Sequence, residues 1–197
     1  QLGWTNHRWV KYIGNKQYQL NAGYQILASS DNAAVRWAVA DNDQIPFGTL
    51  DRLANERSWR IREKVAANCV THQRTIENLA KDKSIRVRCA VASRGYVSPD
   101  SLQALEPEKY TQVREALAGN PNTPDELLIS YIQDPCVEVR EAIGSISKHS
   151  RGFIHLAAHS PSRIVRGHIA DKAGIPAKVL QELAHDPSRY RVSALAR

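Results

Sequence analysis

A short phrase runs valine or isoleucine, arginine, any residue, an alanine-like residue, an aliphatic residue, alanine. It returns every 26 residues, with its first residue at Val35, Ile61, Val87, Val113, Val139 and Val165. A constant interval of this size means one small structural unit copied in series, and it constrains the architecture far more than it constrains the activity.

With that valine or isoleucine as position 1, position 5 is Val39, Val65, Val91, Leu117, Ile143 and Ile169, and position 6 is Ala40, Ala66, Ala92, Ala118, Gly144 and Ala170. Positions 1 and 5 fall on one side of a helix. Later in the unit, position 16 holds Leu50, Ile76, Leu102, Leu128, Ile154 and Leu180, and position 19 holds Leu53, Leu79, Leu105, Tyr131, Ala157 and Leu183. Position 20 adds Ala54, Ala80, Ile132, Ala158 and Ala184, with Glu106 the exception. The i, i+3, i+4 spacing predicts a second amphipathic helix.

Two helices of about ten residues with one narrow apolar stripe each cannot bury those stripes alone, whereas stacked neighbours form a continuous core. The expected fold is therefore all-α: a right-handed α-solenoid, or superhelix, of 26-residue two-helix repeats. Breakers stand where this needs them. Ile45-Pro46, Ser98-Pro99, Thr123-Pro124 and Ile175-Pro176 precede the second helix, with proline suited to the first helical position. Thr123-Pro124-Asp125-Glu126 reads as a capping box. Asp134-Pro135, Ser160-Pro161 and Asp186-Pro187 precede the next first helix as a cap residue followed by proline. Gly95, Gly119, Gly152 and Gly174 are expected in turns between helices.

The stretch Ala118-Gly119-Asn120-Pro121-Asn122-Thr123-Pro124-Asp125-Glu126-Leu127-Leu128, followed by Asp134-Pro135 and Val139-Arg140-Glu141-Ala142, resembles the variant leucine-rich repeat (LRV) of bacterial proteins. HEAT-like repeats of the phycobilisome lyase type are a looser match. The resemblance spans roughly residues 20 to 197 and implies a repeat fold used for many binding tasks. The unit is a residue or two longer than the usual variant unit, which leaves open whether its first or second helix is α or a shorter 3₁₀ turn. The founding member of the family carries an iron–sulfur cluster on an N-terminal cysteine cluster. No such cluster is present in this sequence, so that activity is not carried over and no cofactor is expected.

Two regions are expected: a capping segment over residues 1–19 and a repeat domain over 20–197, with one partial unit, six near-complete units and an incomplete last one. Trp4, Trp9, Tyr12, Tyr18 and Tyr24 among Arg8, Lys11 and Lys16 suit a cover for the first exposed stripe, with an aromatic, basic binding surface as the alternative. At the other end Arg191-Val192 departs from the phrase while Leu195 and Ala196 keep positions 5 and 6. The partner helix is then missing, which suggests absent sequence or a contact with another chain, including oligomerisation through that open end. The lack of any methionine suggests processing or a fragment. No apolar run is long enough for a membrane span. Cys69, Cys89 and Cys136 fall at different positions of the unit, without a CxxC pair, which argues for reduced thiols in a cytoplasm.

The arginine file at position 2, Arg36, Arg62, Arg88, Arg114, Arg140 and Arg166, could track phosphates. Yet position 22, six residues before the next arginine, gives Glu56, Asp82, Glu108 and Asp134 before turning to Ser160. A structural ladder of guanidinium on carboxylate or loop carbonyl around the inter-unit turn is the expected role. The charge that does not repeat is the better binding candidate. Residues 56 to 94 carry ten cations against four anions, in a chain of net charge +7. Arg57 and Arg60 stack in register over Lys83 and Arg86, with Lys109 next in file and Arg94 nearby. Packed neighbours would set these about 10 Å apart. A strip over residues 57–94 suits a nucleic-acid backbone or an acidic protein face. Trp59 and Tyr96 lie in or beside it and could stack on bases, with packing the expected role for Trp59.

His155, His159 and His185 share one helix side or one position of the unit, and form a weak candidate for a metal trio. There is no GxSxG elbow, phosphate-binding glycine loop or HExxH. The chain is expected to be non-catalytic, a scaffold that binds a macromolecule. A protein partner is the leading expectation and nucleic acid the alternative; a repeat-built enzyme or metal protein is the third.

Overall fold

The computed structural model describes residues 21–105, 109–146, 149–172 and 174–185. The aromatic N-terminal segment, Glu106, Glu108, Asp186-Pro187 and the Arg191-Val192 departure lie outside the described residues. The chain divides into two compact units, Gln1–Leu79 and Ala80–Arg197. The division after Leu79 falls inside the array that the sequence presents as continuous, and the expected boundary near residue 19 lies outside the described residues.

In the first unit, α1 (residues 21–27) precedes α2 (Ala33–Ala40), α3 (Phe47–Leu53), α4 (Trp59–Ala67) and α5 (Gln73–Leu79). The second contains α6 (Ile85–Ala92), α7 (Pro99–Gln103), α8 (Thr111–Ala118), α9 (Asp125–Tyr131) and α10 (Val137–Ala142). A 3₁₀ turn (Ile143–Ser145), α11 (Arg151–Ala158), α12 (Arg163–Ala170) and α13 (Ala177–Ala184) complete it. The described residues form no strand. First helices pack on first helices, α2 on α4 in one unit and α6, α8, α10 and α12 in file in the other. The second helices α9, α11 and α13 stack alongside.

Helices of five to nine residues are too short to persist alone in water. Their stability comes from the apolar files. Ile61, Val87, Val113, Val139 and Val165 at position 1, and Val65, Val91, Leu117, Ile143 and Ile169 at position 5, are wholly or almost wholly buried. Leu50, Ile76, Leu102 and Leu128 do the same for the second helices, joined by Leu53, Leu79, Tyr131 and Ala157. Each such Val, Leu or Ile contributes about 1.5–3 kcal/mol on burial. Alanine at position 6 is fully buried in α2, α4, α6, α8 and α12, where a larger residue would hold the stacked helices apart.

Several turn expectations are corrected. Thr123 does not cap α9: its hydroxyl donates back to the Leu117 carbonyl at 2.7 Å, as Thr71 does to Val65, and Pro124 holds the cap position. Only α7 combines Pro99 at its start with a side-chain cap, Ser98 Oγ accepting from the Ser101 N–H. The first helices begin two residues beyond the expected caps. Asp82, Asp134 and Ser160 instead accept the N–H two residues on, from Ser84, Cys136 and Ser162, and so fold the entering turn. Gly152 lies inside α11 rather than in a turn, and Gly174 alone among the described glycines has a positive φ, 77°. Both helices of a unit are α, except where α10 tightens into the 3₁₀ turn at Gly144.

Candidate functional site

The arginine file is built into the turns between repeats. Arg36 Nη1 donates to the carbonyls of Ser30 (2.6 Å) and Asp31 (3.1 Å). Arg62 repeats this on Glu56 and Arg57, Arg88 on Asp82, and Arg166 on Ser160 and Pro161. Arg140 reaches the Asp134 carbonyl in the same way. The residue six places earlier therefore supplies its backbone carbonyl, and the carboxylate comes from twenty residues later in the chain. Arg36 Nε meets Glu56 Oε1 at 2.7 Å; Arg114 grips Asp134 with Nε (2.7 Å) and Nη2 (3.2 Å). Burial pushes the Asp134 pKa up. The Arg114 hydrogen bond, the Cys136 N–H and the nearby Arg140 charge outweigh it and hold the carboxyl below its ordinary range. Arg114 is correspondingly raised, chiefly by its hydrogen bond to Asp134.

A second ladder went unread in the sequence. At position 8, Asn68 Nδ2 donates to the carbonyls of Ala40 (2.9 Å) and Asn42 (3.1 Å), and its Oδ1 accepts from the Val70 N–H. Asn120 does the same to Ala92 and Arg94, accepting from Asn122. Lys172 holds the equivalent carbonyls of Gly144 and Ile146. The signal was available as Asn42, Asn68 and Asn120 at intervals of one and two repeats, because a buried loop carbonyl needs a donor from somewhere.

This ladder corrects one binding candidate. Arg94 occupies position 8, is 9% exposed, and donates Nε to the Tyr96 carbonyl, so it does not face solvent with the strip. The other candidates do. Arg57 and Arg60 are exposed in the first unit; Lys83, Arg86 and Lys109 are exposed in the second. Each group is a surface of its own unit.

Aromatic rings accompany these cations. In the first unit Trp37, at position 3, is 38% exposed and carries the Lys64 ammonium 4.6 Å from its centroid; the same ammonium pairs with Asp41 at 2.8 Å. Trp59, at the start of α4, is 37% exposed beneath the Arg60 guanidinium at 5.0 Å. Trp59 and Glu63 lie one helical turn apart on α4. Glu63 is the counterpart of Trp37 one repeat on, so both rings belong to the outer face of the first helices. In the second unit Tyr110 receives Lys109 at 5.0 Å and Arg88 at 5.5 Å. Tyr96 is almost fully exposed in its loop.

The histidines do not converge on a metal. His155 and His159 stand 4.7 Å apart by ring centroid, but His159 Nδ1 turns to the His155 carbonyl (2.7 Å) and its Nε2 lies 3.5 Å from Glu182. His185 Nδ1 likewise turns to the Gln181 carbonyl. Among the described residues no three histidine, cysteine or acidic side chains form a group that could hold a metal ion. Cys69, Cys89 and Cys136 form no disulfide. No helix among the described residues is long and apolar enough to cross a membrane.

No family model and no curated protein matches the chain. Among solved structures it is similar to one described as a leucine-rich repeat variant with a novel repetitive protein structural motif. That similarity has a TM-score of 0.56 and 24% sequence identity, over 81% of this chain and 68% of that one. Built from stacked two-helix repeats, the chain has the fold of the leucine-rich repeat variant, an α-solenoid.

Proposed function

We propose that the chain is a non-catalytic scaffold of a reducing, cytoplasmic compartment that binds an acidic protein partner on the outer face of its first helices. The observation that carries this is the pair of half-exposed rings on the first unit, each bearing a cation: Trp37 with Lys64 and Trp59 with Arg60. Tryptophan, tyrosine and arginine are the residues that dominate binding energy at protein interfaces, where a rigid ring supplies contact area at little entropic cost. Trp37 on α2 and Trp59 on α4 sit on helices tied down by Arg36, Arg62 and Asn68, so the surface is preorganised.

The experiment is capture from cell extract by the whole chain and by a Trp59→Ala/Arg60→Glu variant, with and without nuclease. Proteins retained after nuclease and lost with the variant support the reading; capture that the variant leaves intact overturns it.

A second reading, nucleic-acid binding, is favoured by the same rings and by the exposed Arg57, Arg60, Lys83, Arg86 and Lys109, since bases stack on aromatics and phosphates attract cations. Under it, log affinity for duplex DNA falls linearly with log salt, by roughly 0.9 per phosphate neutralised. A flat salt response rules it out.

A further inference from the structure

Three departures from the repeat meet beside α12. Position 22, acidic in Glu56, Asp82 and Asp134, becomes Ser160. Position 3, filled by Trp37, Glu63, Cys89, Glu115 and Glu141, becomes Gly167. Position 25, filled by Trp59, Ile85, Thr111 and Val137, becomes Arg163. An acid is lost, bulk is lost and a cation is gained, all within one turn and the helix it enters.

The structure opens a groove of about 930 Å³ there, with Arg140, Ser162, Arg163, Gly167 and His168 in its walls. Arg140 is the ladder arginine whose acid is missing. Its Nε is buried and has no hydrogen-bond partner, whereas the same atom of Arg36 and of Arg114 holds a carboxylate at 2.7 Å. Ser160 cannot replace that carboxylate: it is uncharged, and its Oγ accepts the Ser162 N–H at 3.0 Å. The Arg140 Nε therefore keeps a donor on which the repeat sets no carboxylate, although the Asp134 and Glu138 charges lie within electrostatic reach of the guanidinium.

We propose that this groove receives the carboxylate of an aspartate or glutamate side chain brought by a partner protein. The carboxylate seats on the Arg140 guanidinium as Asp134 seats on Arg114, with Arg163 as the second cation. Glu141 and Asp171 also line the groove, so its charge is nearly balanced. With the acids offsetting the two arginines, an incoming anion relies on its direct contact with the Arg140 guanidinium, and a phosphate carrying more charge meets more repulsion from Glu141 and Asp171 than a singly charged carboxylate does. A guanidinium screened from water attracts an oxyanion more strongly than one in bulk solvent, because the local dielectric is lower. The proposal depends on the scaffold reading only for the source of the carboxylate; the site itself is tested without any partner.

The test follows the arginine Nε–Hε signals of the full chain by ¹H–¹⁵N NMR, with the Arg140 signal identified by its loss in Arg140→Lys. Potassium acetate is titrated against potassium chloride at equal ionic strength, with potassium phosphate as a further arm. The expected result is a saturable acetate-specific shift of the Arg140 signal, toward the position it takes in Ser160→Asp, which supplies the carboxylate from within the chain. In Ser160→Asp the acetate shift should disappear. An Arg140 signal that responds alike to acetate and chloride overturns the site, as does an acetate shift undiminished in Ser160→Asp. Should that variant fail to fold, the wild-type titration against chloride decides alone. A shift with phosphate and none with acetate overturns the carboxylate assignment.

Discussion

At the scale of single residues, the arginine file shows how one side chain serves two turns. Arg114 closes the turn before its own helix through the Lys109 carbonyl and ties down the next through Asp134. The Asp134 side chain is 5% exposed, so removing its partner strands a buried carboxylate. Arg114→Ala should destabilise by about 3 kcal/mol near neutral pH, measured by urea unfolding. Because the pairing lowers the Asp134 pKa, this contribution is full above the ordinary carboxyl value of 3.8 and is lost as pH falls through the folded-state value. Wild type and variant should therefore converge in acid. His149 works in the opposite sense to a stabilising charge. Its ring stacks on Phe153 at 4.5 Å, and its buried nitrogens make no well-formed hydrogen bond, the Ile143 carbonyl being only a weak neighbour. Burial and then the Lys172 charge push its pKa below 6.5, against weaker pulls upward from the Ile143 carbonyl and Asp125. The unfolded chain thus takes up the proton more readily, and stability falls as pH drops below about 6.5. Isoleucine stands at this place in Ile45 and Ile175. His149→Ile should flatten the decline between neutral and mildly acidic pH in thermal melts; an unchanged slope would show that another group titrates there.

At the scale of the element, the 3₁₀ turn after α10 marks where the repeat gives way. Gly144 replaces the small alanine of position 6, and the His168 ring of α12 fills the space: a Cβ at Gly144 would collide with the His168 ring at Nδ1. Other units carry Ala38, Ala90, Ala116 and Ala142 where His168 stands. The pair exchanges volume between neighbouring helices. Gly144→Ala alone should cost about 1–3 kcal/mol through overpacking. His168→Ala in the same chain should recover most of that, and a double-mutant cycle measures the coupling. Position 8 changes at the same register: Ile146 cannot donate as Asn120 does, and Ser145 Oγ supplies a longer contact, 3.3 Å, to the Gly119 carbonyl.

At the scale of the whole molecule, stability in a repeat array is a sum over units and nearest-neighbour faces rather than one indivisible quantity. All four tryptophans fall within residues 1–79, the first compact unit. Arg114→Ala, in the second, should lower the transition seen by far-ultraviolet circular dichroism more than the one seen by tryptophan fluorescence. Equal shifts in the two would show a single cooperative transition.

The apolar files were legible because burial repeats with the backbone: Val87, Val113, Val139 and Val165 are each fully buried, so a 26-residue period reads out the core directly. The exposed cations Arg57, Arg60, Lys83, Arg86 and Lys109 were legible because they lie off both the apolar stripes and the columns whose side chains bond the loop carbonyls. Arg94 was misread because charge alone does not tell a surface cation from a buried one bonded to a loop carbonyl. The capping of Thr123 was misread because a hydroxyl in that turn can either accept a helix N–H or donate to an earlier carbonyl, and the fold uses the second.

The sequence by itself determined the repeat, its two helices and its core, all consequences of local periodicity. Only the tertiary structure decided which carboxylate each arginine holds, where Gly144 and His168 interlock, and that Arg140 is left without its acid. Those outcomes depend on groups twenty or more residues apart, brought together by the stacking of one repeat on the next.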